Sequence, residues 1–261
     1  MKRSLSMISD APAPSSRLTY KLHEYSESGR RLRIVERTVE SAVCAPPSGT
    51  SVPLLPLPPV PGGGFDSVWS AYDTMGPTAY YENHGASYRN PHEPTMAAAL
   101  SLSLSSWDNA QLMRPLHRVL DLACGSGEAS VAFEHWAAAN ADSSLLPHLE
   151  GADPHTAAAF KTRTGKSAHP WSFEDVAGGQ WAREGLSWDL VMCSYALHLV
   201  DEVTLHATLS AVAHAARLLL VLTPHRRPTD AAVSKAGWTQ QGALTLEHVR
   251  VRLYRSQLYP Q

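Results

Sequence analysis

Beyond residue 64, short apolar runs alternate along the chain with alanine-rich segments of helical pattern. The apolar runs lie at residues 119–123, 149–153, 188–193 and 218–222. Residues 128–140 and 202–217 are the clearest helical segments. Strands that alternate with helices of about 10–15 residues predict a parallel sheet with helices on both faces.

The last apolar stretch, residues 248–255, alternates with a period of two. One side of it carries Val249, Val251 and Leu253, and the other carries Arg250, Arg252 and Tyr254. This alternation predicts a strand with one solvent-facing side, as at the end of a sheet.

The first 64 residues follow a different pattern. Residues 18–25 and 31–39 alternate apolar and polar positions around a turn-like segment, which predicts a β-hairpin. A lone hairpin is marginal in water, so it has to dock on something. Residues 46–64 are rich in proline and glycine and predict a linker, or a segment recognised by an SH3-type protein partner. We therefore divide the chain into an N-terminal extension, residues 1–64, and an α/β domain, residues 65–261.

Composition excludes several classes of protein. No apolar run approaches the roughly 20 residues that span a bilayer. The formal net charge of −2 argues against broad affinity for nucleic acid. Cys44, Cys124 and Cys193 suit neither a disulfide framework nor a metal cluster, so we expect reduced thiols and no metal. We expect a cytoplasmic location, with a nuclear or organellar one left open.

The most informative segment is residues 118–128, with the sequence RVLDLACGSGE. A buried strand carrying Asp121 leads into a turn of small residues, and a helix follows. Such a turn lets the backbone approach a ligand closely, and a carboxylate near it suits a cationic amino group. The competing dinucleotide fold requires a third glycine where this chain has Ser130.

This segment resembles motif I of the class I S-adenosylmethionine-dependent methyltransferases, in particular the small-molecule and quinone-type members. The resemblance implies a Rossmann-like, doubly wound sheet of about seven strands in the order 3-2-1-4-5-7-6, with an antiparallel last strand. It also implies S-adenosylmethionine as cofactor. The cofactor-binding residues carried over from motif I are Asp121, Ala123, Cys124, Gly125 and Gly127.

Two further acidic sites follow in the order that the family shows. Asp153 ends the second strand, where a carboxylate can accept hydrogen bonds from both ribose hydroxyls; a cap before Pro154 is the alternative. Residues 173–176 are predicted to end the third strand. The resemblance assigns Asp175, or else Glu174, to the adenine amino group, and an exposed loop acid is the alternative.

The fourth strand continues into residues 189–199, which resemble the D-x-V-x-x-x-x-A-L-H motif of the same enzymes. The resemblance places Ser194 and Tyr195 near the methionine part of the cofactor. His198 is then a candidate catalytic base, or a residue packed at the sheet edge. His225, after the fifth strand, is an equally open candidate.

Residues 79–92 resemble the N-terminal arm that closes over the cofactor in this family. Tyr88 and Arg89 are the residues that would contact the methionine carboxylate, since arginine offers a two-pronged donor. An amphipathic surface helix is the alternative interpretation.

The sequence therefore predicts a methyltransferase whose acceptor is a small molecule. A protein or RNA methyltransferase is a second hypothesis, if five arginines form one basic rim: Arg226, Arg227, Arg250, Arg252 and Arg255. A non-catalytic, methyltransferase-like partner subunit is a third.

Overall fold

Nine strands form one mixed sheet in the computed structural model, which describes residues 16–26, 28–41, 76, 79–90, 92–113, 115–140 and 146–260. The strands are β1 (Ser16–Tyr25), β2 (Arg31–Ser41), β3 (Arg118–Leu122), β4 (His148–Ala152), β5 (Ala168–His169), β6 (Trp188–Ser194), β7 (Ala216–Thr223), β8 (Trp238–Leu246) and β9 (Val249–Ser256). The α-helices are α1 (Glu93–Asn109), α2 (Glu128–Asn140), α3 (Ala157–Thr164), α4 (Phe173–Ala177), α5 (Gln180–Glu184), α6 (Glu202–Ala215) and α7 (Asp230–Lys235). Short 3-10 helices span Gly85–Ser87 and Leu197–Leu199.

The strand order is β2-β1-β8-β9-β7-β6-β3-β4-β5. Strands β3 to β7 are mutually parallel, and β9 runs antiparallel to β7 and to β8. Numbering the seven strands from β3 to β9 in chain order gives 3-2-1-4-5-7-6. The predicted order and the antiparallel last strand are confirmed.

Helices cover both faces of the sheet because its central strands are apolar on both sides. In β7, Leu218 and Leu220 pack toward α1 and α2, whereas Leu219 and Val221 pack toward α4, α5, α6 and α7. All four of these side chains are almost fully buried. This double burial explains why β7 reads as an uninterrupted apolar run.

The predicted N-terminal hairpin is confirmed as β1 and β2, and it extends the sheet. Residues Tyr20–Glu24 of β1 pair with Gly242–Leu246 of β8. The Tyr20 side chain lies in the core that α1 covers, and Leu18 and Leu22 pack against that core. The sheet therefore has two strands more than the seven expected. The boundary near residue 64 stays a prediction, because the linker of residues 46–64 lies outside the described residues.

The expectation that residues 173–176 end the third strand is wrong. The third strand is only Ala168–His169, and residues 173–176 lie in α4 instead. A capping box starts this helix: the Asp175 N–H donates to Ser172 Oγ and the Ser172 N–H to the Asp175 carboxylate.

Arg252 and Tyr254 on the polar side of β9 are buried rather than wet, because Asp230 at the start of α7 and the Pro228 carbonyl before it bond to these side chains. Arg252 Nη1 donates to Pro228 O at 2.6 Å and to Asp230 Oδ1 at 3.0 Å. The Tyr254 hydroxyl donates to the same Asp230 oxygen at 2.8 Å. These bonds give partners to Arg252 Nη1 and to the Tyr254 hydroxyl, whereas Arg252 Nε and Nη2 are buried without a hydrogen-bond partner among the described residues.

Candidate functional site

A cavity of about 360 Å³ opens at the carboxyl ends of β3, β4 and β6. The segments that follow these three strands form its walls, together with the arm of residues 81–90 and the start of α4. Ligands of doubly wound sheets bind at this edge, where neighbouring connections leave in opposite directions. The volume lies within the usual range for small-molecule sites.

The turn after β3 forms the floor of the cavity. Ala123, Cys124 and Gly125 line it, and the Cys124 N–H donates to Ala152 O at 3.1 Å. Ala123 has φ +58°, a strained value for a residue with a Cβ atom. Gly125 has φ +56°, and a Cβ atom there would lie 2.9 Å from a ring carbon of Tyr88. The turn therefore requires glycine at position 125.

Gly127 packs against a helix in this structure, and its expected role in cofactor binding stays a prediction. It lies outside the cavity lining at φ +88°, and a Cβ atom there would be 2.7 Å from the Thr164 methyl carbon of α3. Its lack of a side chain permits close packing of the turn against α3.

Asp121 is fully buried and does not line the cavity. Its Oδ2 accepts a hydrogen bond from Ser130 Oγ at 2.7 Å, and Oδ1 has no partner among the described residues. Burial, opposed by the Ser130 bond, raises the pKa of Asp121 to about 7. Asp121 thus lies beneath the turn and outside the cavity lining, and its role toward a ligand stays a prediction.

Asp153 lines the cavity and also caps the chain that follows it. Its Oδ1 accepts from the N–H groups of His155 and Thr156, at 2.8 and 2.9 Å. Its Oδ2 accepts from the Gly125 N–H at 3.2 Å, which joins the ends of β3 and β4. The capping alternative is thus correct, and the ribose role stays a prediction beside it.

Of the two acids in α4, Glu174 lines the cavity and Asp175 does not. Asp175 belongs to the capping box, and its hydrogen bonds with Ser172 lower its pKa. The placement therefore favours Glu174 over Asp175, and the adenine contact itself stays a prediction. Trp171 and Phe173 also line this wall, although no motif pointed to them.

Ser194 and Tyr195, at the end of β6, both line the cavity. Tyr195 has φ +56°, and its ring stacks on that of His92 with centroids 5.6 Å apart. The Tyr195 hydroxyl is buried without a hydrogen-bond partner among the described residues, and burial raises its pKa to about 12. A strained backbone at a cavity wall is typical of ligand sites.

The two histidines considered as bases lie outside the cavity lining. The rings of His198 and His225 contact each other, with centroids 4.6 Å apart. Burial, together with the charges of His225 and Arg227, lowers the pKa of His198 to about 4. This placement does not support their predicted catalytic role, which stays a prediction.

In the arm before α1, Tyr88 lines the cavity, but Arg89 is exposed and outside the lining. This placement does not support the expected contact of Arg89 with a methionine carboxylate, which stays a prediction. The sequence interpretation also missed Tyr81, Asn90 and Glu128. Glu128 Oε1 accepts from the Asn90 N–H at 2.8 Å and from Ser126 Oγ at 2.6 Å, so it anchors the arm to α2. The position of Glu128 directly after the glycine turn is the sequence signal that could have identified it as a site residue.

Two negative findings apply to the part of the chain that the structure describes. It contains no group of His, Cys, Asp and Glu side chains that could hold a metal ion. None of its helices combines the length and the apolar character needed to cross a membrane.

The strand order, the glycine turn and the cavity at the strand ends define the fold of the class I S-adenosylmethionine-dependent methyltransferases. The chain is 34% identical over 183 residues to the uncharacterized protein C17A5.05c of Schizosaccharomyces pombe, a match that covers 59% of this chain and 73% of that protein. The chain belongs to the same family as this yeast protein. No protein-family model matches the chain.

Among solved structures, the chain is similar to magnesium protoporphyrin IX methyltransferase from Synechocystis PCC 6803 with bound SAM. The identity is 15%, the TM-score is 0.45, and the match covers 76% of this chain and 99% of that one. It is also similar to an O-methyltransferase family protein from Burkholderia thailandensis. That identity is 16%, the TM-score is 0.49, and the match covers 71% of this chain and 61% of that one.

Proposed function

We propose that this protein is an S-adenosylmethionine-dependent methyltransferase that acts on a small molecule. The observation that carries the proposal is the junction of the glycine turn with Asp153, where the Gly125 N–H donates to Asp153 Oδ2 at 3.2 Å in the cavity wall. This junction brings the turn backbone against the Tyr88 ring, a carbon of which would lie 2.9 Å from a Cβ atom at Gly125. The junction also presents the Asp153 carboxylate to the cavity, where it can accept hydrogen bonds from the hydroxyl groups of a ligand.

The residues of the cavity fit the parts of this cofactor. Asp153 would accept hydrogen bonds from the ribose hydroxyls, and Glu174 from the adenine amino group, beside the rings of Trp171 and Phe173. Ser194 and the turn backbone would hold the methionine part. The sulfonium supplies an electrophilic methyl group, so the protein contributes mainly placement and exclusion of water.

The hypothesis of a macromolecular substrate loses its support, because the five arginines do not form one rim. Arg252 is buried and bonded to Asp230. Arg250 pairs with Thr223 at the carboxyl end of β7, whereas Arg255 pairs with Leu218 near the opposite end. A small acceptor, entering the cavity itself, is the simpler substrate.

Isothermal titration calorimetry of the full chain tests the proposal. We expect S-adenosylmethionine and its demethylated product to bind with micromolar dissociation constants, roughly −8 kcal/mol. NAD should give no heat. Binding of NAD without binding of either methionine derivative would contradict the proposal, and a chain that binds neither would fit a scaffolding subunit.

A further inference from the structure

One wall of the cavity is supported by a stack of two rings, those of Trp171 and His169. Trp171 lies between β5 and α4 and lines the cavity, although only 7% of its surface is exposed. The imidazole of His169, at the end of β5, lies parallel to the Trp171 ring, with centroids 4.0 Å apart and an interplanar angle of 2°. His169 itself lies outside the cavity lining, so its ring supports this wall rather than forming it.

Two buried tryptophans contact the Trp171 ring from other directions. The rings of Trp181 in α5 and Trp188 in β6 lie edge to face with it, with centroids 5.9 and 6.1 Å away. Each of these two side chains is only 1% exposed. Stacked and edge-to-face contacts between rings contribute stability beyond the area that they bury. Together they stabilise one orientation of Trp171, in which His169 covers one of its faces.

The His169 ring is held by Glu150, which lies on the neighbouring strand β4. Glu150 Oε2 lies 3.1 Å from His169 Nε2, and Glu150 Oε1 accepts from Arg118 Nη2 at 2.8 Å. Burial raises the pKa of Glu150, but the bonds from Arg118 and His169 outweigh burial and lower that pKa below its ordinary value. Glu150 is thus an ionised acceptor, so His169 Nε2 carries the proton and donates it. This bond sets the rotation of the imidazole ring, and with it the plane on which Trp171 stacks.

The backbone of His169 bonds to a second residue of the cavity wall. Its carbonyl oxygen accepts from the Asp153 N–H at 2.9 Å, beside the pairing of Ala152 with His169. The short strand β5 therefore holds Asp153, at the proposed ribose position, and leads into Trp171, at the proposed adenine position. His169 lies where the two parts of the wall that would bind an adenosine group meet.

We propose that His169 is a positioning residue for the cofactor: held by Glu150, its ring fixes Trp171 in the wall against which the adenine binds. This inference rests on the proposed function. Because the His169 side chain lies outside the lining, its effect passes through Trp171. The effect therefore falls on the adenosine part of the ligand and not on its amino acid part.

Calorimetry with His169→Ala in the full chain measures this effect. The His169 side chain is 41% exposed and Glu150 keeps its bond to Arg118, so we expect the variant to fold. Its affinity for the demethylated cofactor should fall about two- to tenfold, the range that aromatic pairs contribute. 5′-Methylthioadenosine, which has the adenosine part but lacks the amino acid part, should lose affinity by the same factor. His169→Phe keeps a ring for stacking and should recover at least part of the loss.

His148→Ala is the matched control. His148 Nδ1 lies 3.5 Å from the same Glu150 carboxylate, but its side chain is 73% exposed and lies outside the cavity lining. This variant should bind both ligands with unchanged dissociation constants. Thermal melting of each variant shows whether it is folded at the temperature of the titration.

A double variant tests whether the effect passes through Trp171. In a Trp171→Leu background, which has no indole ring to position, His169→Ala should lower neither affinity further. The comparison of His169→Ala with His169→Phe decides the inference even where Trp171→Leu does not fold.

Four results would overturn the inference: an unchanged affinity in folded His169→Ala, no recovery with His169→Phe, additive losses in the double variant, or a loss that spares 5′-methylthioadenosine. Absence of binding of the demethylated cofactor to the unsubstituted protein would instead overturn the proposed function.

Discussion

Substitution of Asp153 by alanine tests the site most sharply among single changes. The variant loses the acceptor for the N–H groups of Gly125, His155 and Thr156. Hydrogen bonds to charged groups contribute about 1.5–3 kcal/mol each and are not additive, so we expect a stability loss of about 2–4 kcal/mol. Cofactor affinity should fall by about 1–3 kcal/mol, roughly 5- to 150-fold, because the ribose hydroxyls lose a charged acceptor.

The two losses are separated by combining thermal melting with calorimetry below the melting temperature of the variant. Asp175→Ala is the matched control, since it removes an acidic cap outside the cavity. That variant should lose about 1 kcal/mol of stability and keep its cofactor affinity. An Asp153→Ala variant that folds and binds S-adenosylmethionine with an unchanged dissociation constant would refute the ribose assignment and leave Asp153 only its capping role.

Three further predictions concern the turn, the buried acid and the hairpin. The folded pKa of Asp121, about 7, exceeds its ordinary value of 3.8, so the free energy of unfolding should fall as pH rises between these values, by on the order of 4 kcal/mol. Asp121→Asn should remove this slope in urea titrations at a series of pH values, and a slope that persists would assign it to other groups. Tyr20→Ala should cost about 3–5 kcal/mol in the same assay because the side chain is buried, whereas Leu32→Ala, 63% exposed, should change stability by less than about 0.5 kcal/mol; equal small effects would show that the hairpin is a dispensable appendage. Gly125→Ala should reduce cofactor affinity at least about tenfold in calorimetry, since φ is +56° there and the new methyl group would lie 2.9 Å from the Tyr88 ring and displace it in the cavity wall; an unchanged affinity would contradict the role of the turn.

The central strands were predictable from sequence because burial on both faces leaves continuous apolar runs. The third strand could not be predicted, because it has only two residues. The Ser172–Asp175 capping box, however, is a sequence signal for the start of a helix. The alternation in residues 18–25 predicted a strand with an apolar face. It could not predict the partner strand, because pairing with β8 depends on the tertiary fold.

The candidate site was predictable where a motif constrains the backbone. The cavity wall contains Ala123, Gly125 and Asp153, because this fold fixes the backbone position of the glycine turn and of the strand end. Placement at the rim does not determine where a side chain points, and for that reason His198 and Arg89 lie outside the lining although the motifs predict them at the site. The alternation along residues 248–255 predicts a solvent-facing Arg252, whereas Asp230, from a separate helix, supplies the partner that permits its burial.

A crystal structure of the full chain with the demethylated cofactor tests the central claim most directly. We predict ligand density in the cavity between Gly125 and Asp153, with the ribose hydroxyls within hydrogen-bond distance of the Asp153 carboxylate and the adenine beside Trp171 and Glu174. Density elsewhere, such as the cleft between α6 and α7, or a cavity that stays empty at saturating ligand, would contradict the assignment of this protein as a methyltransferase.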